Sequence, residues 1–192
     1  MRKAFLISGF IAAFALAVFV TSAAPPANFA GTWSLDKAKS TGLSPRMQNA
    51  DSVVWTITQD GKTISIDQKT TGGQPPAGGG NGSGGGTGGG GGMGGGRGAG
   101  GPQVYNLDGS EINADITGGQ MTGKSTNKAT WSSDGAKLGV SRKSVFQGPN
   151  GEVTSLTTQN LSLSGDGKVL TAVVHSESPR GTTDSTLVLN KQ

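Results

Sequence analysis

The sequence contains no cysteine, few aromatic residues and few charges. Without cysteine the chain forms neither disulfides nor thiolate metal sites, so a folded domain must be held together by packing. Aromatic residues make up 5% of the 192 residues, so the core must be mainly aliphatic. Basic residues are scattered and never run beyond pairs such as Arg142-Lys143, whereas a nucleic-acid surface needs a concentrated basic patch. The sequence therefore predicts no nucleic-acid partner, no metal and no other cofactor.

One long hydrophobic run stands at the N-terminus. Two basic residues precede an apolar stretch over residues 4–20, and small residues follow at 21–23. This order is typical of a secretory signal peptide. We expect cleavage after Ala23, which makes 1–23 the signal peptide, leaves 24–192 without a membrane span and places the protein in the periplasm or outside the cell. A retained membrane anchor is the alternative, because the stretch is long enough to cross a bilayer.

Residues 72–101 form a separate, glycine-rich region. Twenty of these thirty residues are glycine, and Met93 is the one sizeable apolar residue. Such a segment cannot bury enough surface to offset the entropy lost on ordering. We predict a disordered loop that interrupts a single domain and acts as a passive spacer.

The rest of the chain has the pattern of short strands separated by turns. The turn dipeptides are Asp60-Gly61, Asp108-Gly109, Gly118-Gly119, Asp134-Gly135, Asn150-Gly151 and Asp166-Gly167. They predict an all-β fold, an antiparallel up-and-down meander of about nine or ten strands. At most one short helical turn is expected, within 37–51. Closure removes the exposed edges of such a sheet, so a closed barrel in which 183–190 pairs near 31–36 is favoured over a sandwich of two packed sheets.

The turn positions also predict how the strands pair. If each dipeptide or short loop forms the tip of a hairpin, apolar residues meet on one face and polar residues on the other. The predicted pairs are Ile57 with Ile64, Trp131 with Leu138, Phe146 with Val153, Leu163 with Leu170, and Val174 with Leu187.

The same registers place a polar band on the inward face. They align Arg142 with Thr157 and Ser144 with Ser155, and they put Gln159 one row away. A buried arginine is costly unless it is paired. This band is therefore a candidate for holding the carboxylate of a ligand whose tail lies among the apolar residues. The alternative is that a bulge turns Arg142 outward, or that its stem snorkels at the barrel mouth.

Other candidates for chemistry are few. Trp55 and Trp131 are candidates for stacking on a ligand, although large aromatics are more often core residues. The one histidine, His175, is expected to face outward without a nucleophile beside it, and no serine stands in a Gly-x-Ser-x-Gly motif. We therefore predict that the protein is not an enzyme.

The segment 29–35, which contains the Gly-x-Trp of Gly31 and Trp33, resembles the first strand of lipocalin-like (calycin-type) domains, and 124–131 is similar to the same group. The resemblance extends to small exported bacterial proteins of unassigned function. It implies a barrel in which Gly31 and Trp33 form a structural motif, with the tryptophan across the closed end. It also implies a non-catalytic module that binds a small apolar or amphipathic molecule. The alternative is a filled β-barrel that serves as a structural or interaction protein of the cell envelope.

Overall fold

The computed structural model describes residues 25–72, 101–118, 121–148 and 151–192. The expected signal peptide lies outside these ranges, and so does the glycine-rich segment apart from its two end residues. The described strands are β1 Gly31–Leu35, β2 Ala50–Gln59, β3 Thr63–Gly72, β4 Gln103–Asn106, β5 Ile112–Gly118, β6 Met121–Trp131, β7 Lys137–Gly148, β8 Gly151–Leu163, β9 Val169–Ser178 and β10 Gly181–Lys191. The helix α1 covers Pro45–Asn49.

The strands form one antiparallel sheet in the order β4-β3-β2-β1-β10-β9-β8-β7-β6-β5. The last strand returns to the first, where Trp33 pairs with Lys191. At the remaining seam between β4 and β6, the Asn127 Nδ2 donates a hydrogen bond to the Val104 carbonyl oxygen at 3.1 Å. The chain thus forms a nearly closed barrel, which confirms the predicted all-β meander and the barrel in preference to a sandwich.

The short helical turn expected within 37–51 is confirmed as α1. Ser44 caps its first turn by accepting a hydrogen bond from the Met47 backbone N–H, and Pro45 follows at the first helical position. Met47 is buried against the core. No helix within the described ranges is both long enough and apolar enough to cross a membrane.

Three of the five predicted hairpin pairs are confirmed, and they lie on consecutive strands. The pairs observed as predicted are Trp131 with Leu138, Phe146 with Val153, and Leu163 with Leu170. The glycines of the Asp134-Gly135 and Asp166-Gly167 turns have φ of +68° and +67°, the left-handed conformation that glycine adopts without strain.

The predicted register at Asp60-Gly61 is wrong by two residues. Asp60 precedes the tip of the turn instead of forming it, because its carboxylate accepts hydrogen bonds from the backbone N–H groups of Lys62 and Thr63. The observed partner of Ile57 is therefore Ile66, not Ile64. A shift of two keeps every side chain on its predicted face.

The predicted register at the last hairpin is wrong in the same way. Residues 179–180 form a two-residue tip, because Ser178 pairs directly with Gly181. Val174 consequently faces Ser185, and Leu187 faces Ala172. The inward face is again unchanged, since side chains alternate with a period of two.

The core lies toward one end of the barrel, which we name the tryptophan end. This end carries the turns at 60–62, 132–136 and 164–168 and the segment 25–30. Trp33 is fully buried there and donates from Nε1 to the Phe29 carbonyl oxygen at 2.9 Å. Gly31, at φ +144°, lets the Lys191 stem pass close to the backbone, and the Lys191 ammonium lies 5.2 Å from the centre of the Trp33 ring.

Candidate functional site

A row of polar side chains crosses five adjacent strands on the inner face of the barrel. Asn127 pairs with Arg142, Arg142 with Thr157, Thr157 with Ser176, and Ser176 with Thr183. Each lies an even number of residues from a buried core residue on its own strand, so all five face the interior. We name these five residues the Arg142 row.

A second polar row lies two residues further from the tryptophan end. Ser125 pairs with Ser144, and Ser144 pairs with Ser155. Ser125 and Ser144 are both buried. We name these three residues the serine row. Together the two rows give this half of the interior a lining rich in hydroxyl groups.

Four buried side-chain atoms have no hydrogen-bond partner among the described residues. They are Trp55 Nε1, Asn127 Oδ1, Arg142 Nε and Gln159 Oε1. Buried polar groups are nearly always hydrogen-bonded, and an unmade bond costs about 1–3 kcal/mol. Three of the four atoms belong to the Arg142 row or to the adjacent row, which contains Gln159. The fourth, Trp55 Nε1, lies on β2 opposite Trp33, outside these rows.

The charge of Arg142 lacks a counter-ion in the described part of the chain. None of the ion pairs found there involves its guanidinium. Its titratable neighbour is Tyr105 of β4, across the seam. Burial raises the pKa of Tyr105 to about 12, although the Arg142 charge acts in the opposite direction. The phenol is therefore neutral at physiological pH, and its hydroxyl donates to Gln103 Oε1 at 2.8 Å.

The accessible part of the interior is the polar part. Arg142, Thr157 and Ser176 retain partial exposure. In contrast, five core leucines have 0% exposure: Leu138, Leu161, Leu170, Leu187 and Leu189. We name these the buried leucines. A side chain with no accessible surface does not line a space that admits water, so a ligand reaches the polar rows but not the buried leucines. The expected ligand tail beside Leu138 and Leu161 has no room there.

The structure brings together most of the residues that the sequence suggested for binding. Arg142, Ser144, Ser155, Thr157 and Gln159 lie on one interior surface, in three successive rows. The suggestion that a bulge turns Arg142 outward does not fit, because the β7–β8 ladder is regular through this residue.

The two candidate tryptophans lie elsewhere. Trp131 is four residues along β6 from Asn127, a separation of about 13 Å. It stacks on Phe29 with 6.1 Å between ring centres and 21° between planes. Trp55 has 0% exposure, so its ring faces are covered by protein and are not available to a ligand.

Several residues of the site were missed from the sequence. The turn positions that align Arg142 with Thr157 are followed by others of the same kind, which place Asn127 opposite Arg142 and Ser176 opposite Thr157. Asn127 and Ser176 could therefore have been predicted from the sequence. Tyr105 had no such signal, since the glycine-rich segment separates β4 from the strands before it and leaves no turn to fix its register.

His175 lies on the outer surface, as expected from the alternation. Its Nδ1 is 2.6 Å from Asp184 Oδ1, and its Nε2 is 3.1 Å from Glu177 Oε1. These contacts raise the pKa of His175, with the hydrogen bond to Asp184 the largest cause. Within the described ranges, no three His, Cys, Asp or Glu side chains are arranged to hold a metal ion.

A surface groove of about 790 Å³ lies among the turns of the tryptophan end. Its lining residues are Pro26, Asn28, Gln59, Gly61, Lys62, Thr63, Asn106, Leu107, Asp108 and Trp131. The carboxamide of Gln59 is already hydrogen-bonded within the fold, since it accepts from the Phe29 N–H at 2.9 Å and donates to the Ala27 carbonyl at 3.0 Å. The groove contains none of the four unpartnered buried atoms. The Arg142 row therefore has the stronger case as a binding site.

Comparisons with known proteins add a resemblance at the level of shape. No family model matches the chain. No curated protein matches it either. A similar solved structure is the zebrafish ileal bile acid-binding protein complexed with cholic acid, which is 15% identical with a TM-score of 0.44, over 85% of this chain and 98% of that chain. A similarity this distant has no bearing on what binds to the Arg142 row.

Proposed function

We propose that this protein binds a small amphipathic anion inside its barrel and does not catalyse a reaction on it. The observation that carries the proposal is the guanidinium of Arg142. It lies on the interior face, its Nε is buried without a partner, and no described carboxylate pairs with it.

A carboxylate is the chemical group that best complements the unpaired guanidinium of Arg142. Hydrogen bonds from a guanidinium to a carboxylate are charge-assisted, and they are worth about 1.5–3 kcal/mol each. Tyr105 stays neutral beside Arg142, so it does not compete for the positive charge. The unpartnered oxygens of Asn127 and Gln159 lie in the same region, but they are buried, so the proposal rests on the accessible part of the Arg142 guanidinium and not on them.

The proposed place of action is the periplasm or the exterior of the cell. The support is the order of basic residues, apolar stretch and small residues in 1–23, which is typical of an exported precursor.

Titration with a dansyl-labelled medium-chain fatty acid tests the proposed function. The wild type and Arg142→Ala are compared, with Lys143→Ala as the matched control. Lys143 is adjacent and carries the same charge, but it is exposed on the outer face. We expect Arg142→Ala to weaken binding at least tenfold, which corresponds to about 1.4 kcal/mol, and Lys143→Ala to leave it unchanged. Equal affinities in all three proteins would refute the proposal.

The second candidate function is a filled barrel that acts as a structural or interaction protein of the envelope. The complete burial of the five buried leucines favours it. Native mass spectrometry of protein purified from its own host separates the two candidates, since a retained small anion supports binding and a bare mass supports the filled barrel.

A further inference from the structure

We infer that the anion is polyhydroxylated, and that the barrel discriminates against a plain hydrocarbon acid. This inference rests on the proposed function and concerns the same site. The lipocalin-like resemblance implies a small apolar or amphipathic ligand, and this inference departs from the apolar kind.

The hydroxyl lining is much wider than a carboxylate. The Arg142 row spans five strands, and strands lie about 4.8 Å apart, so the row extends about 19 Å around the wall. The serine row adds a further step of about 7 Å along the strands. A carboxylate on Arg142 covers only a small part of this surface.

Of the six hydroxyl groups in the two rows, three make no hydrogen bond to the described residues: Ser144, Ser155 and Thr183. One contact joins two of the other three, Thr157 Oγ1 and Ser176 Oγ at 3.2 Å. Ser125 donates to the Ala114 carbonyl at the long distance of 3.5 Å. Each hydroxyl offers one donor and two acceptor positions, so the rows retain many unused positions even after these bonds.

A hydrocarbon chain against this lining would exclude water without replacing its hydrogen bonds. Each group desolvated in that way costs about 1–3 kcal/mol. Hydroxyl groups on the ligand restore those bonds. A site built to bond a ligand hydroxyl strongly rejects the analogue that lacks it, for the same reason.

The apolar contact available to the ligand is small. The buried leucines have no accessible surface. Phe146 and Val153, a directly paired couple one step beyond the serine row, are 8% and 37% exposed. The ligand that fits is therefore a compact hydroxylated ring or short chain with one anionic group and one small apolar face.

Quinate and cyclohexanecarboxylate make a suitable pair of ligands to test this inference. They share the same six-membered ring and carboxylate, and they differ only in the ring hydroxyls. Binding is measured by NMR chemical-shift titration of the protein. We expect quinate to bind at least tenfold more tightly than cyclohexanecarboxylate.

Two variants assign that preference to the hydroxyl lining. Thr157→Val, of the same shape, should reduce the preference at least threefold, and Ser155→Ala should do the same if the valine variant does not fold. Thr158→Val is the matched control, because Thr158 is the next residue and faces outward opposite His175. It should retain the full preference.

The outcomes separate this inference from the proposed function. Equal affinity for the two acids, tighter binding of cyclohexanecarboxylate, or a preference unmoved by Thr157→Val and Ser155→Ala overturns the inference alone. Binding of the dansyl-labelled acid without binding of quinate also overturns it alone. Failure of all three ligands to bind overturns the inference and the proposed function together.

Discussion

Replacing Arg142 with methionine should stabilise the ligand-free protein. Methionine has a similar length and keeps the packing of the arginine stem, but it carries no charge and no donor. In the wild type, Arg142 Nε is buried without a partner and no described carboxylate neutralises the guanidinium. The substitution removes that penalty without leaving another charge unpaired.

The expected gain follows from the cost of one unpartnered donor. That cost is about 1–3 kcal/mol. Arg142 keeps partial exposure, so solvent reduces the penalty on the outer part of the guanidinium, and we expect a gain of about 1–2 kcal/mol. For a domain of this size, 1 kcal/mol shifts Tm by about 2–4 °C, so Tm should rise by about 2–8 °C.

Urea unfolding and thermal melts of the ligand-free protein measure this effect, with Lys143→Met as the control. Lys143 is exposed, so its substitution should change the free energy of unfolding by less than about 0.5 kcal/mol. With ligand at a hundred times the wild-type Kd, the wild type should gain about 2.7 kcal/mol, whereas a variant that binds tenfold more weakly gains about 1.4 kcal/mol, so ligand should remove about 1.3 kcal/mol of the advantage of Arg142→Met. If ligand-free Arg142→Met is clearly less stable than the wild type, the arginine has stabilising partners and the expected penalty does not exist.

Three further predictions concern stability. Leu161→Ala should lower the free energy of unfolding by about 2–5 kcal/mol, because the side chain is fully buried, whereas Val173→Ala on the outer face should have little effect in the same urea titration. The pKa of His175 is raised, chiefly by the hydrogen bond to Asp184. Its contribution to the free energy of unfolding is therefore present below the unfolded pKa of about 6.5 and is lost as pH rises through the higher folded pKa. His175→Gln should accordingly show a smaller loss of Tm between pH 6 and pH 9 than the wild type. The pKa of Asp166 is lowered, chiefly by a hydrogen bond from a neighbouring serine hydroxyl. Its contribution to the free energy of unfolding is therefore present above the unfolded pKa of 3.8 and is lost as pH falls through the lower folded pKa. The Tm of Asp166→Ala should accordingly depend less on pH between pH 5 and pH 2 than the Tm of the wild type.

The strand pattern made the inward face predictable even where the pairing was wrong. The Asp-Gly dipeptides mark hairpins, but aspartate can form the tip of the turn or precede it. Asp60 does the latter, and Gly61 is not among the glycines with positive φ. Because the resulting error was two residues, Ile57 and Ile64 stayed in the core although they do not face each other.

The candidate site was predictable only along continuous runs of hairpins. Strands β6 to β10 follow one another through short turns, so the alignment of Arg142 with Thr157 could be derived from turn positions. The seam between β4 and β6 could not, because its closing contact joins the Asn127 side chain to the Val104 backbone and repeats no pattern. The period of the sequence pattern also does not predict which buried atoms lack hydrogen-bond partners, because it indicates the face on which a side chain lies but not its contacts.

The two halves of the interior have opposite effects on stability. Each of the buried leucines contributes about 1.5–3 kcal/mol by leaving water, and without disulfides this packing must hold the barrel together. Each unpartnered atom near the Arg142 row has a cost of similar size and opposite sign. Apolar side chains in that row would therefore make a more stable barrel. If a bound molecule supplies hydrogen bonds to this lining, the complex recovers free energy that the ligand-free fold lacks. Ligand binding is therefore a physical reason for a lining that destabilises the ligand-free barrel.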